Sequence, residues 1–273
     1  MKRIPKHKLQ AVLLLWLCAA FIVGCTHAIA QDNDAPPATQ PATQPAGDNT
    51  EASNPAHDLL GRIEDRAAKL KTITANLRRT RINEILESKF IQKGELFYSA
   101  TPPRKFAAHI TTQIADARAK RTDLWYIYDG RTFAEKNITD KVFRIYSTTP
   151  EGEETEAEAL ELGQGPFALP LNVKKDQILK TFDVSLISPK EGGLEDTVHL
   201  QLIPQNPDQV EQSSIDIWYN QETLLPVMVV TFNEDEEIRE TFIISNTEID
   251  ADLPGGVFDT TPPKEKGWTV QTE

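Results

Sequence analysis

The folded part of this chain contains no cysteine. There are two among 273 residues, Cys18 and Cys25, and both fall within the first 25. A disulfide framework is excluded, so any domain must stand on its core alone. Chemistry-bearing motifs are also lacking: there is no HExxH, CxxC, EF-hand loop, Gly-x-Ser-x-Gly elbow or P-loop. Of the five histidines, His7 and His27 precede the expected domain, His57 borders it, and His109 and His199 sit singly in strand-like segments. No two have metal-ligand spacing, so no metal, no cofactor and no enzymatic activity is expected. Asn137-Ile138-Thr139 matches a glycosylation sequon, but such triplets are common by chance and the export signal has a bacterial form.

Positive charge is scarce too. The net charge of −12 understates the mature balance, because residues 1–24 hold four of the 29 basic residues and none of the 41 acidic ones; from Cys25 onward it is 25 − 41 = −16. Such a surface repels phosphate backbones and anionic headgroups, and no nucleic-acid partner is expected. The densest acidic run, Glu151 to Glu161, reads as a solvated loop entering a helix.

Only one long apolar run exists, Leu9 to Val23, preceded by Lys2, Arg3, Lys6 and Lys8. It is too short for a membrane span and has the form of a signal peptide. Two processing outcomes are open. Ile22-Val23-Gly24-Cys25 has the form of a lipobox, making Cys25 a lipidated N-terminus after a signal at 1–24. Ala28-Ile29-Ala30 suits ordinary signal peptidase, giving a signal at 1–30. The location expected is the bacterial periplasm, with anchoring to the outer membrane through Cys25 in the first case. Residues 25–56 follow as a Pro/Thr/Gln-rich tether with nothing large enough to bury. About two dozen extended residues reach about 70 Å.

What is present in quantity is strand pattern. After a helix expected from an Asp58 N-cap through Leu59, Leu60, Ile63, Ala67, Leu70 and Ile73, the period changes to two. Strands are expected at Phe90–Tyr98, Lys105–Thr112, Asp123–Tyr128, Lys141–Ser147, Thr197–Ile203, Ser213–Tyr219, Pro226–Phe232 and Ile238–Asn246. Turns such as Asp129-Gly130, Pro204-Gln-Asn-Pro207 and Asn220-Gln221 separate them. Two short helices, Thr155–Leu162 and Lys175–Phe182, interrupt the series. Residues 57–273 therefore read as one α+β domain, mainly β, built on a large antiparallel sheet. Leu124-Trp-Tyr-Ile-Tyr128 is apolar or aromatic on both faces and needs cover on both. A filled core and a ligand cavity would each supply that.

The order of several weak motifs resembles the LolA-like superfamily of periplasmic lipoprotein and lipid carriers, with its RseB and LppX/LprG relatives. The likeness runs from Leu59 to Trp268. It rests on the amphipathic helix, Gly94-Glu-Leu96, Pro102-Pro-Arg-Lys-Phe106, Trp125-Tyr-Ile-Tyr-Asp-Gly130, Gly165-Pro-Phe-Ala-Leu169 and Leu253-Pro-Gly-Gly-Val-Phe-Asp-Thr-Thr-Pro-Pro263. The resemblance implies an incomplete antiparallel β-barrel with lid helices over an apolar cavity for acyl chains of lipids or lipoproteins. It departs from the family at Thr101, where the carriers place a lid-holding arginine; the nearest here is Arg104.

Strand parity, with the inward face of the first strands chosen by this likeness, gives a concave lining of Leu96, Tyr98, Phe106, Leu124, Tyr126, Tyr128, Val198, Leu200, Ile215 and Ile217. The lid would present Leu59, Ile63, Leu70, Phe167, Leu169 and Ile178. The function implied is a non-enzymatic carrier or receptor, acting as a monomer. The alternatives are an RseB-like protein-binding module that senses envelope stress and a scaffold with a self-filled core.

Overall fold

The computed structural model describes residues 54–147, 162, 167, 169–170, 173–188 and 193–272. The export segment, Cys25, nearly all of the tether and the expected helix at 155–162, apart from Leu162, lie outside them.

The domain opens with α1 (Pro55–Ala67). Its cap is Asn54, whose side chain accepts from the Ala56 N–H at 3.0 Å, with Pro55 at the first helical position. Asp58, expected as the cap, instead lies in the first turn, where its charge suits the helix dipole. The helix buries Ala56, Leu59, Leu60 and Ile63 and stops at Ala67, six residues before the expected Ile73. The error has a physical source: Leu70 and Ile73 fit helical spacing from Ile63, but Thr72-Ile73-Thr74 is β-branched and already belongs to a strand.

That strand is β1 (Thr72–Asn83), followed by β2 (Ser88–Ser99), β3 (Lys105–Ala115), β4 (Arg118–Tyr128), β5 (Thr132–Asn137) and β6 (Val142–Ser147). After α2 (Lys175–Thr181) come β7 (Phe182–Ile187), β8 (Thr197–Pro204), β9 (Gln212–Asn220), β10 (Pro226–Asn233), β11 (Ile238–Ile249) and β12 (Thr269–Thr272). All twelve form one sheet in the order β12-β6-β5-β4-β3-β2-β1-β11-β10-β9-β8-β7. Pairing is antiparallel except between β12 and β6. The two edges, β12 and β7, do not meet, so the sheet is an unclosed barrel. Four strands were not read from the sequence: β1, hidden in the helical spacing, and the short β5, β7 and β12.

The sheet is strongly curved. The Phe167 ring lies 5.0 Å from Tyr126 on β4, 5.4 Å from Phe106 on β3 and 6.0 Å from Phe242 on β11. In a flat sheet β4 and β11 would stand about 19 Å apart, four strand spacings. One ring reaches both because this face is concave.

Gly94 marks a tight approach within the sheet. Register shifts between Lys93 and Gly94, and a Cβ on Gly94 would fall 1.8 Å from the His109 carbonyl oxygen. At the end of β4, Asp129 Oδ1 accepts from the N–H groups of Arg131 (2.9 Å) and Thr132 (2.8 Å), while Gly130 takes φ +101°. This is the expected Asp-Gly turn.

The second cover demanded by β4 is the chain's own C-terminal segment. Leu253, Val257 and Phe258 pack on Phe97, Ala107 and Trp125 over the convex face. Thr260 Oγ1 donates to Asp129 Oδ2 at 2.6 Å, and the segment ends in β12 beside β6. Both faces of β4 are therefore covered by protein, and its outer apolar face is no sign of a ligand.

Candidate functional site

Alternation along the strands gathers one apolar cluster on the concave face. Leu96, Tyr98, Phe106, Leu124, Tyr128, Leu200, Ile215 and Ile217 are buried in it, and Tyr126 and Val198 pack against it half-buried. All ten residues expected in the lining share this face. Trp125, one residue along from Tyr126, stacks on Phe97 on the opposite side, which fixes the register. Leu59, Ile63, Leu70, Phe167, Leu169 and Ile178 join the same cluster from above. Leu70 does so from the turn after α1 rather than from the helix itself. Arg66 Nε of α1 donates to the Thr223 carbonyl at 3.1 Å, and Glu64 Oε2 accepts from the Lys175 N–H at 3.4 Å, fixing α1 against the β9–β10 turn and α2.

The concave face changes character along its length. Ile73, Ala75 and Leu77 of β1 continue the apolar wall, and the next residue on that face is Arg79. Its guanidinium makes a bidentate pair with Glu240 of β11: Nε to Oε2 at 3.1 Å and NH2 to Oε1 at 2.8 Å. Arg81, half exposed, also lies 3.6 Å from Glu240. Arg79 NH1 donates to Gln92 Oε1 at 3.4 Å, and the Gln92 side chain bonds the Tyr126 hydroxyl. Gln92 is only 2 % exposed. Burial raises the Tyr126 phenol above its ordinary pKa, against a smaller opposing effect of the Gln92 bond. Glu135 of β5 stands across from Tyr126 and is paired with Arg144 of β6, whose Nε reaches Gln271 at 2.9 Å.

Phe167 closes this end. Besides the three rings already named, it receives the Arg79 guanidinium at 5.4 Å from its centroid. Arg79 thus makes a contact between the sheet and its cover. Sequence reasoning missed Arg79 because β1 was not read as a strand, and passed over Gln92 and Glu240 because polar residues on the strands it did read were not taken as lining; parity from Leu77 and Leu96 would have found the first two.

At the opposite end Tyr219 is fully buried on the same face, and its hydroxyl has no hydrogen-bond partner. Burial alone pushes its pKa upward. Ser213 Oγ and Gln212 Oε1 are likewise buried without partners. An unsatisfied buried polar atom is costly, of the order of 1–3 kcal/mol.

The two strand histidines are not isolated. His109 stacks on Trp125 with centroids 3.9 Å apart and meets Asp123 Oδ1 at 2.9 Å through Nε2. His199 stacks on Trp218 at 4.0 Å and meets Asp216 Oδ1 at 2.6 Å. The signal was present in the sequence as Asp123-Leu-Trp125 and Asp216-Ile-Trp218, each following a histidine-bearing strand. Both sets lie on the convex face. Among the described residues no group of three or more His, Cys, Asp or Glu could hold a metal ion, and no helix is long and apolar enough to cross a membrane.

No family model and no curated protein matches the chain. Solved structures similar to it include a conserved uncharacterized protein from Thermus thermophilus (10 % identity, TM-score 0.46, covering 80 % of this chain and 99 % of that one). A LolA superfamily protein from Nitrosomonas europaea is similar at 11 % identity and a TM-score of 0.34, covering 74 % and 96 %. MucB of Pseudomonas aeruginosa, in complex with MucA, is similar at 14 % identity and a TM-score of 0.39, covering 75 % of this chain and 60 % of that one. At these identities and TM-scores the likenesses say nothing of ligand or partner. The chain is similar in outline to LolA superfamily structures, the resemblance that its own motifs carry.

Proposed function

We propose that this protein binds acyl chains of lipids or lipoproteins on its concave face and acts, without catalysis, as a carrier or receptor in the bacterial envelope. The observation that carries this reading is the cover. The deepest part of an unclosed apolar sheet is shielded by α1, α2 and single side chains such as Phe167, rather than by a second sheet. An acyl chain would compete with these residues for the same surface, each buried methylene contributing about 0.8 kcal/mol. Leu96, Tyr98, Phe106, Leu124 and Tyr126 would form its walls, and Leu59, Ile63, Phe167, Leu169 and Ile178 its lid.

Native mass spectrometry of protein purified from its own periplasm should show co-purified lipid. Tyr126→Asp should abolish binding of a fluorescent fatty acid, because a carboxylate among alkyl chains costs several kcal/mol. A folded Tyr126→Asp protein, checked by far-UV circular dichroism, that binds with unchanged affinity would leave a self-filled scaffold as the better reading.

A protein-binding role has one observation in its favour. Ile85 and Leu86, at the tip of the β1–β2 hairpin, are 64 % and 72 % exposed. Crosslinking from this tip to an inner-membrane protein would support a regulatory module. Tethering through Cys25 is a separate question, decided by mass spectrometry of the mature N-terminus: an unmodified Gln31 start means a free protein.

A further inference from the structure

Polarity changes in a fixed order along the concave side of β1. Ile73, Ala75 and Leu77 are apolar, Arg79 and Arg81 follow, and the chain then turns through residues 84–87. Across the sheet the two arginines belong to neighbouring rows. One row links Phe242, Arg79, Gln92, Gln113 and Lys120; the next links Glu240, Arg81, Phe90, Ala115 and Arg118. Directly opposed residues share a face, so these rows set four cations against the one carboxylate of Glu240. Glu240 is committed to Arg79, which it holds through Nε and NH2. Arg81 approaches it through Nε at 3.6 Å, too long for a hydrogen bond, and its side chain is 49 % exposed. One carboxylate between two guanidiniums leaves a surplus positive charge, and that charge lies at Arg81, next to the apolar wall.

Beyond Arg81 the sign reverses. Glu84 lies three residues further on, about 10 Å by strand rise. Its side chain is 60 % exposed, with Arg239 at 3.8 Å. The Glu84 N–H donates to the Glu237 carbonyl at 2.8 Å, which brings the β10–β11 turn level with the β1–β2 turn. Glu87, Glu234, Asp235 and Glu236 are exposed on these two turns. Along β1 the order is thus apolar, positive, negative. A glycerophospholipid with an ethanolamine head has the complementary order: acyl chains, phosphate, ammonium. Such a head is neutral as a whole, so the mature charge of −16 does not repel it, whereas a net anionic head meets that repulsion.

We propose that this end of the concave face binds the zwitterionic head of an ethanolamine-type glycerophospholipid, with the phosphate at Arg81 and the ammonium at the carboxylates of Glu84 and Glu87. This rests on the acyl-chain reading above and adds the chemistry of the head. The head stays at the half-exposed rim, while the chains take the apolar surface that Phe167 covers.

The test compares a phosphatidylethanolamine, a phosphatidylglycerol and a diacylglycerol that carry the same pyrene-labelled acyl chain. The unaltered protein should bind the first most tightly. Arg81→Gln should weaken binding of the ethanolamine lipid roughly three- to tenfold and leave the diacylglycerol unchanged, and Arg81→Lys should keep most of the affinity. Glu84→Gln combined with Glu87→Gln should narrow the margin over phosphatidylglycerol. Excess inorganic phosphate at constant ionic strength should leave the lipid bound; displacement would assign Arg81 to free phosphate and overturn the headgroup site. Equal affinity for the three lipids, tighter binding of phosphatidylglycerol, an unchanged margin in the double glutamate variant, or an Arg81→Gln protein that loses nothing or loses both lipids alike would also overturn it, while leaving acyl-chain binding intact. Failure of all three lipids to bind the unaltered protein would overturn both readings.

Discussion

At the scale of single residues, three positions carry distinct expectations. Gly94 has a backbone oxygen where a methyl group would go. Gly94→Ala should destabilise the domain by about 3 kcal/mol, the upper end for overpacking, and lower its melting temperature by about 6–12 °C. Tyr219 is the opposite case. Its hydroxyl is buried without a partner, so Tyr219→Phe should stabilise the ligand-free protein by about 1 kcal/mol; an unchanged or lower melting temperature would mean that the hydroxyl is satisfied in solution. Arg79 and Glu240 test as a pair. Either replaced alone by methionine leaves its partner uncompensated, whereas the double replacement should cost less than the sum of the two. Chemical denaturation of the three variants gives the coupling directly. None of these positions was legible by motif. Gly94 was noted only for its place before Leu96, and a close approach is invisible until the facing strand is known.

At the scale of elements, alternation was the most readable signal. It placed Tyr126 and Trp125 on opposite faces because aromatic and aliphatic residues two apart agree along β4. It failed for β1, where Ile63, Leu70 and Ile73 satisfy a helical period across a turn, and with β1 went Arg79 and its contacts to Gln92 and Glu240. Paired elements were beyond it as well. The β3–β4 and β8–β9 hairpins carry the same device: a histidine opposite a tryptophan, with an aspartate two residues before it. Asp216 also accepts from Gln201 Nε2 at 3.3 Å. Asp216→Ala should therefore leave two partners unmatched and destabilise by about 1–3 kcal/mol. Asp123, more exposed, should cost less when replaced. Urea midpoints of the two variants check the order.

At the scale of the whole molecule, the convex cover is the clearest expectation. Ending the chain after Ala251 would remove Leu253, Val257, Phe258 and β12, and expose Phe97, Ala107 and Trp125. Increased binding of an apolar dye should follow; unchanged dye binding would mean that the segment is not docked there. A further consequence belongs to the place of β1. It is the first strand made, yet it pairs with β11, whose residues lie about 160 positions later. Its other neighbour, β2, can form a local hairpin, but the sheet cannot be joined across its middle until nearly the whole chain exists. Closing so long a loop before its contacts form makes folding slow. Were the N-terminal apolar run to act as the signal peptide it was read as, that slowness would be useful: β11 emerges late, so the chain would stay threadable until most of it had crossed.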